Sequence, residues 1–274
     1  NYIVDLTNIY AETEGGENTL IDASTINFGV VAGQNNGIIY NCQVHNCENA
    51  QSTNKLVKVK VNLLTSAENQ IEAFIGGIAG QNNGSLTHSQ SYIKLSANKG
   101  YLGGLVGQNN GAIASCFYKA DSDGNVLENE STTEVGTKTG ALVAINNTDA
   151  TIKYSYAEGK TLETNGYRYN TGKVYTSANS SGFVCYNKGL IQDCYSNIPV
   201  ESLKRSSGFV FENEGTIKNS YSASLVKVNS TVSTAFMGTT DNLNINSSNK
   251  NIINCYYFER SEEHTSELQS RPHI

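Results

Sequence analysis

Tryptophan is absent from this 274-residue chain, proline occurs twice, methionine once, and only 16% of residues are charged. Each scarcity excludes something. With a formal net charge of −6, the chain lacks the basic face that a nucleic-acid binder uses, so no nucleic-acid partner is expected. No apolar run approaches the roughly 18 residues that a membrane-spanning helix needs, so no membrane span is expected either. Histidine occurs four times, and neither an H-E-x-x-H pair nor a comparable metal-ligand spacing is found. We therefore expect no metal and no other cofactor. The chain opens on Asn1 without an initiator Met or a signal peptide, as expected of a segment of a longer protein.

What the chain has instead is 25 glycines, 16 tyrosines and a wealth of Asn, Ser and Thr. That mixture of β-branched, aromatic and turn-forming residues predicts many short strands joined by turns. The composition breaks at Arg260–Ser270, RSEEHTSELQS, which resembles the conceptual translation of a sequencing adapter. Residues 259–274 are accordingly read as an artefactual or disordered tail and kept out of fold reasoning, together with His264, Pro272 and His273.

Repetition organises the remainder. GVVAGQNNGII, GGIAGQNNGSL and GGLVGQNNGAI run from Gly29, Gly76 and Gly103. Any one of them alone suggests a phosphate-binding loop, but none has the lysine or the following helix that such a loop requires. Internal copies point to stacking instead. The glycine that closes the loop falls at Gly37, Gly84, Gly111, Gly189 and Gly215, with Thr148 in a degenerate copy, at spacings of 47, 27, 37, 41 and 26. The shortest spacings define the unit, and the longer ones add loops at 43–74, 118–138 and 157–180. A worn copy runs from Ala235 to Tyr256. We expect an all-β fold, a parallel β-helix (β-solenoid) of about seven stacked coils over residues 28–258. Residues 1–27 would supply N-terminal strands, a cap or an additional coil. Right-handed winding is expected, because parallel crossovers take that hand.

Each column of the repeat has a physical character. Asn35, Asn82, Asn109, Asn146, Asn187 and Asn213 stand two residues before the anchor. Stacked at about 4.8 Å, such amides form a ladder along the coils. The anchor glycines suit a backbone site with positive φ. A column of small residues follows, at Cys42, Ser89, Cys116, Ser155, Cys194, Ser220 and Cys255, often with a tyrosine after it. Serine coils separate these cysteines by about two coil spacings, which is too far for a disulfide. They read as small, interchangeable core residues. Cys47 and Cys185 lie outside that column. Cys185 and Phe211 replace a mid-loop glycine, where altered turns are expected, and the last copy is expected to fray.

No catalytic set stands out. Asp5, Asp22, Glu72, Asp149, Asp193, Glu212 and Asp241 share no column, and His45 and His88 read as surface residues. Asp121-Ser122-Asp123-Gly124, with Glu128 and Glu130 beyond it, has the look of a calcium loop but lacks the third ligand-bearing residue before the glycine; it reads as a solvated turn.

GGLVGQNNGAIASCF, SGFVCYNKGLIQDCYS and SGFVFENEGTIKNSYS resemble the GLUG repeat, roughly G-G-L-V-G-x-N-x-G-x-I-x-N-S-Y, and the likeness covers most of Phe28 to Tyr256. The resemblance implies a β-solenoid from a large secreted or surface-attached bacterial protein, such as an adhesin-like protein. It also extends to the non-catalytic regions of immunoglobulin-A-cleaving metallopeptidases. The expected function is a non-catalytic structural or adhesive segment, with a host-surface glycan or protein as partner and neighbouring coils of the full-length chain at its ends. The alternatives are a polysaccharide-active β-helix enzyme and the flank of a secreted metallopeptidase.

Overall fold

The structure is a computed structural model that describes residues 25–45, 59–61, 72–121, 123–131, 137–164, 167–228, 232–238 and 251–258. The segment 1–24, Cys47 and the tail 259–274 lie outside the described residues. The chain winds through five parallel sheets, each holding one strand from nearly every coil, with seven strands on three faces and six on the other two. The third coil shows one full turn. Its faces are Gly100–Gly103, Val106–Asn109, Ala112–Ala114, Phe117–Lys119 and Asn125–Asn129. We number the faces one to five in that order. Among the described residues seven coils stack this way, as a parallel β-solenoid.

Strands of two to five residues cannot hold together alone. Here each pairs in register with the equivalent strand above and below, so the repeat period itself supplies the partner. The first described coil includes Thr25, within residues 1–27 read from sequence as N-terminal strands, a cap or an additional coil, because Thr25–Gly29 pairs along its length with Glu72–Gly76. The long spacings are not all loop. Val59–Val61 and Lys173–Thr176 are the fifth-face strands of their coils. Among the described strands, only Lys160–Thr164 and Tyr167–Thr171 leave the solenoid, as an antiparallel hairpin.

Inside, side chains of one column stack on one another. The first face carries Phe28, Ile75, Leu102, Thr139, Ser180 and Ser206 in register. Ile75, Leu86, Leu102, Leu105, Ile113 and Leu127 are fully buried. Each such side chain contributes about 1.5–3 kcal/mol. Where Cys185 and Phe211 replace the mid-loop glycine, the turns are not altered: Val184 pairs with Val143 and Val210, and Asn187 with Asn146 and Asn213. The ladder on either side of the replaced residue holds the register.

Candidate functional surface

The corner between faces two and three is built on asparagine. Asn35 donates its amide to Asn82 at 2.7 Å, Asn82 to Asn109 at 2.8 Å, and Asn109 to Asn146 at 2.8 Å. Asn146 then donates to Asn187 at 2.8 Å, and Asn187 to Asn213 at 2.7 Å. All five bonds run the same way along the rod. A second, exposed amide row runs beside it in the opposite direction: Asn83 donates to Asn36, Asn110 to Asn83, and Asn147 to Asn110. Buried amides left unpaired would cost about 1–3 kcal/mol each, so the inner ladder fixes the register as well as stabilising it.

The anchor glycines are needed for a different reason from the one the sequence suggested. None of Gly37, Gly84, Gly111, Gly189 and Gly215 has positive φ. A Cβ on Gly84 would instead lie 2.0 Å from the carbonyl oxygen of Gly37, and one on Gly111 would lie 2.1 Å from that of Gly84. At Gly84, Gly111, Gly189 and Gly215 glycine is there because consecutive backbones touch. In the fourth coil Ala150, not Thr148, takes the anchor's level, since Thr151 donates to Gly111 and Leu190 to Ala150. Asp149, at φ 65°, turns the longer loop back into line.

The positive φ values lie at the next corner. Asn41, His88, Ser115, Tyr154, Asp193, Asn219 and Asn254 all have φ between 48° and 55°. Each directly precedes a member of the column Cys42, Ser89, Cys116, Ser155, Cys194, Ser220 and Cys255. Those short side chains act as ladder caps. Cys42 N–H donates to Ser89 Oγ at 3.1 Å, Ser89 N–H to Cys116 Sγ at 3.4 Å, Cys116 N–H to Ser155 Oγ at 3.2 Å, and Cys194 N–H to Ser220 Oγ at 3.2 Å. The same side chains donate backwards, Ser155 to Lys153 O and Cys194 to Gln192 O. A short group that both donates and accepts is required, which serine and cysteine each supply. Burial pushes the Cys116 thiol up to about 11 and the Cys194 thiol up to about 12, so both keep the proton they donate. Cys42, Cys116, Cys185, Cys194 and Cys255 are all free thiols.

Outside this corner, the fourth face carries an aromatic column. Phe117 stacks on Tyr156 at 4.6 Å, Tyr156 on Tyr195 at 4.8 Å, and Tyr195 on Tyr221 at 5.1 Å, with planes within 11° of parallel. Tyr221 is 38% exposed and Tyr256, next in register, is 49% exposed. The rings lean on one another and present their edges and hydroxyls to solvent. Partial burial, with Glu158 nearby, raises the Tyr156 phenol to about 12. Glu158 itself pairs with Lys119 at 2.9 Å. His45 stacks on Tyr92 at 4.3 Å beside the upper end of the column.

Two further clusters emerge only in three dimensions. Tyr186 on the second face lies between two lysines, with Lys138 Nζ 3.8 Å and Lys188 Nζ 4.8 Å from its ring centre. Glu212 pairs with Lys138 at 3.6 Å, and the Tyr186 hydroxyl donates to Glu214. Side chains from three coils thus form one charge-balanced patch, although in sequence their carboxylates look scattered. The hairpin is tied down through Asn170, which donates to Asn197 O at 2.8 Å, and through Asp123, which meets Lys160 at 3.8 Å and accepts from Thr171. The sequence signal for this hairpin is Asn165-Gly166, which favours a two-residue turn between antiparallel strands. The pairing of Thr164 with Tyr167 matches that loop length.

Among the described residues, no group of three or more His, Cys, Asp or Glu could hold a metal ion, and no helix is long and apolar enough to cross a membrane. No family model matches the chain, and no curated protein or solved structure matches it.

Proposed function

We propose that the chain is a non-catalytic, adhesive spacer segment of a larger secreted or surface-attached bacterial protein of GLUG-repeat type. The aromatic column on the fourth face carries this reading. From Phe117 through Tyr221 it places one ring per coil at 4.6–5.1 Å, on a scaffold whose own hydrogen bonds leave it little freedom. Regular rungs of phenol edges and hydroxyls suit an extended repeating partner, such as a host-surface glycan. Seven coils at about 4.8 Å make a rod of about 34 Å, a reasonable length for a spacer.

The test is a glycan array probed with the intact chain and with Tyr195→Ala/Tyr221→Ala, followed by reducing-end assays on any glycan retained. Retention without new reducing ends, lost in the double variant, is the expected result. Release of reducing ends would replace this reading with that of a polysaccharide-active enzyme.

A further inference from the structure

Three units close their turn with Asn-Gly: Asn36-Gly37, Asn83-Gly84 and Asn110-Gly111. In this dipeptide the glycine backbone nitrogen can attack the asparagine side-chain carbonyl carbon, because glycine has no Cβ to obstruct the approach. A C–N bond forms to Cγ, the side-chain amide leaves as ammonia with the proton lost from the glycine nitrogen, and a succinimide ring remains. Water then adds to one of the two ring carbonyls, and opening gives aspartate or isoaspartate. The conversion needs only water and involves no change of oxidation state.

The exposed amide row prepares this chemistry at all three places. Asn83 donates its amide to Asn36 Oδ1 at 2.8 Å, and Asn110 to Asn83 Oδ1 at 2.7 Å. Asn147 in turn donates to Asn110 Oδ1. Each carbonyl therefore has a donor aimed at the oxygen that becomes negative when its carbon is attacked.

What distinguishes the three is crowding at the glycine. All three glycine N–H groups are hydrogen-bonded, Gly37 to Asn35 Oδ1 at 3.1 Å, Gly84 to Asn35 O at 3.1 Å and Gly111 to Asn109 Oδ1 at 3.3 Å, but a Cβ on Gly84 or Gly111 would come within 2.0–2.1 Å of the coil beneath. Neither backbone can swing toward its own asparagine without lifting a coil. Gly37, in the first coil, has nothing within 4 Å of that direction among the described residues. The Asn36 amide nitrogen, the leaving group, also donates to no rung among the described residues, while Asn83 and Asn110 both donate theirs.

We infer that Asn36–Gly37, in the first described coil, is a site of spontaneous deamidation, and that coil stacking protects the identical dipeptides Asn83–Gly84 and Asn110–Gly111. The product places a carboxylate, and in the isoaspartate form an extra backbone methylene, at the foot of the exposed amide row. This reading is independent of what the surface binds.

Peptide mass spectrometry of the intact chain, aged in mildly alkaline buffer, tests it through the one-unit mass gain at each site. Asn36 is expected to convert at least about tenfold faster than Asn83 and Asn110, whose conversion waits on local opening of the stack. In denaturant the three rates are expected to converge. Similar native rates at the three sites would overturn the inference, as would the same ranking in denaturant, which would trace it to flanking residues. Gly37→Ala, for which there is space, should slow the Asn36 conversion and leave the other two sites unchanged. An unchanged Asn36 rate in that variant would also count against the inference.

Discussion

The second and third coils and the fifth and sixth solve the same packing problem with different side chains. In the former, Ile75 and Leu102 fill the first-face column, with Ile78 and Leu105 just past the corner. In the latter, Ser180 and Ser206 occupy that column, and Phe183 and Phe209 stand past the corner. The phenyl rings stack at 4.8 Å, and Ser180 and Ser206 hydrogen-bond to one another at 3.0 Å. A larger side chain at one position is matched by a smaller one three residues earlier, so interior volume is traded between columns while the backbone register is kept. Buried hydroxyls without a protein partner among the described residues occur in both: Ser91 Oγ and Ser96 Oγ in the second coil, and Ser181 Oγ, Ser202 Oγ and Ser207 Oγ in the fifth and sixth. One backbone thus tolerates two core chemistries, provided volume is balanced within each coil.

Imposing one chemistry on the other half should have the largest effect. Leu102→Ser, with no enlarged partner at Leu105, is expected to lose about 3–5 kcal/mol, measured by urea unfolding. Ser180→Leu should cost about 1–3 kcal/mol by overpacking against Phe183, and adding Phe183→Leu should recover most of it. Additive effects in that cycle would mean that the two columns do not share volume.

An intermediate effect concerns the thiols, one in each half. Cys116 lies in the apolar half and is raised to about 11; Cys194 lies in the hydroxyl half and is raised to about 12, both from an ordinary value of 9.0 and chiefly by burial. Because the folded values lie above the unfolded one, the stability from each thiol is complete below pH 9. It is lost as pH rises through the folded values. Alkaline melting curves should therefore fall more steeply for the parent chain than for Cys116→Ser or Cys194→Ser, by on the order of 2 kcal/mol per thiol. Parallel curves would show that burial at these corners does not penalise the thiolate.

The smallest effect comes from removing an orphan. Ser207→Ala keeps the Cβ and deletes a buried hydroxyl without a protein partner, so stability should be unchanged or rise by up to about 1 kcal/mol. A clear loss would reveal a hydrogen bond at that site.

Much of this was legible in the chain itself. The six-asparagine column is readable because a ladder needs the same amide at the same level in every coil. The unit of 26–27 residues is readable because strands must pair with their own copies. Less legible were the fifth face and part of the first, where short strands such as Val59–Val61 hide inside long spacings. Their side chains vary freely so long as one inward position stays apolar. The left-handed corner was missed because Asn41, His88, Ser115, Tyr154 and Asp193 share a backbone angle and no chemistry. The Lys138–Tyr186–Glu212 patch was missed because stacking alone brings those residues together across three coils.

The sequence by itself determined the period, the stacking register and the amide column, since each depends on identity repeating along the chain. The tertiary structure alone decided why most anchors are glycine, which corner takes the left-handed residue, and which anchor glycines a neighbouring backbone crowds. Those depend on how closely one coil lies on the next, a distance fixed only when the coils are stacked.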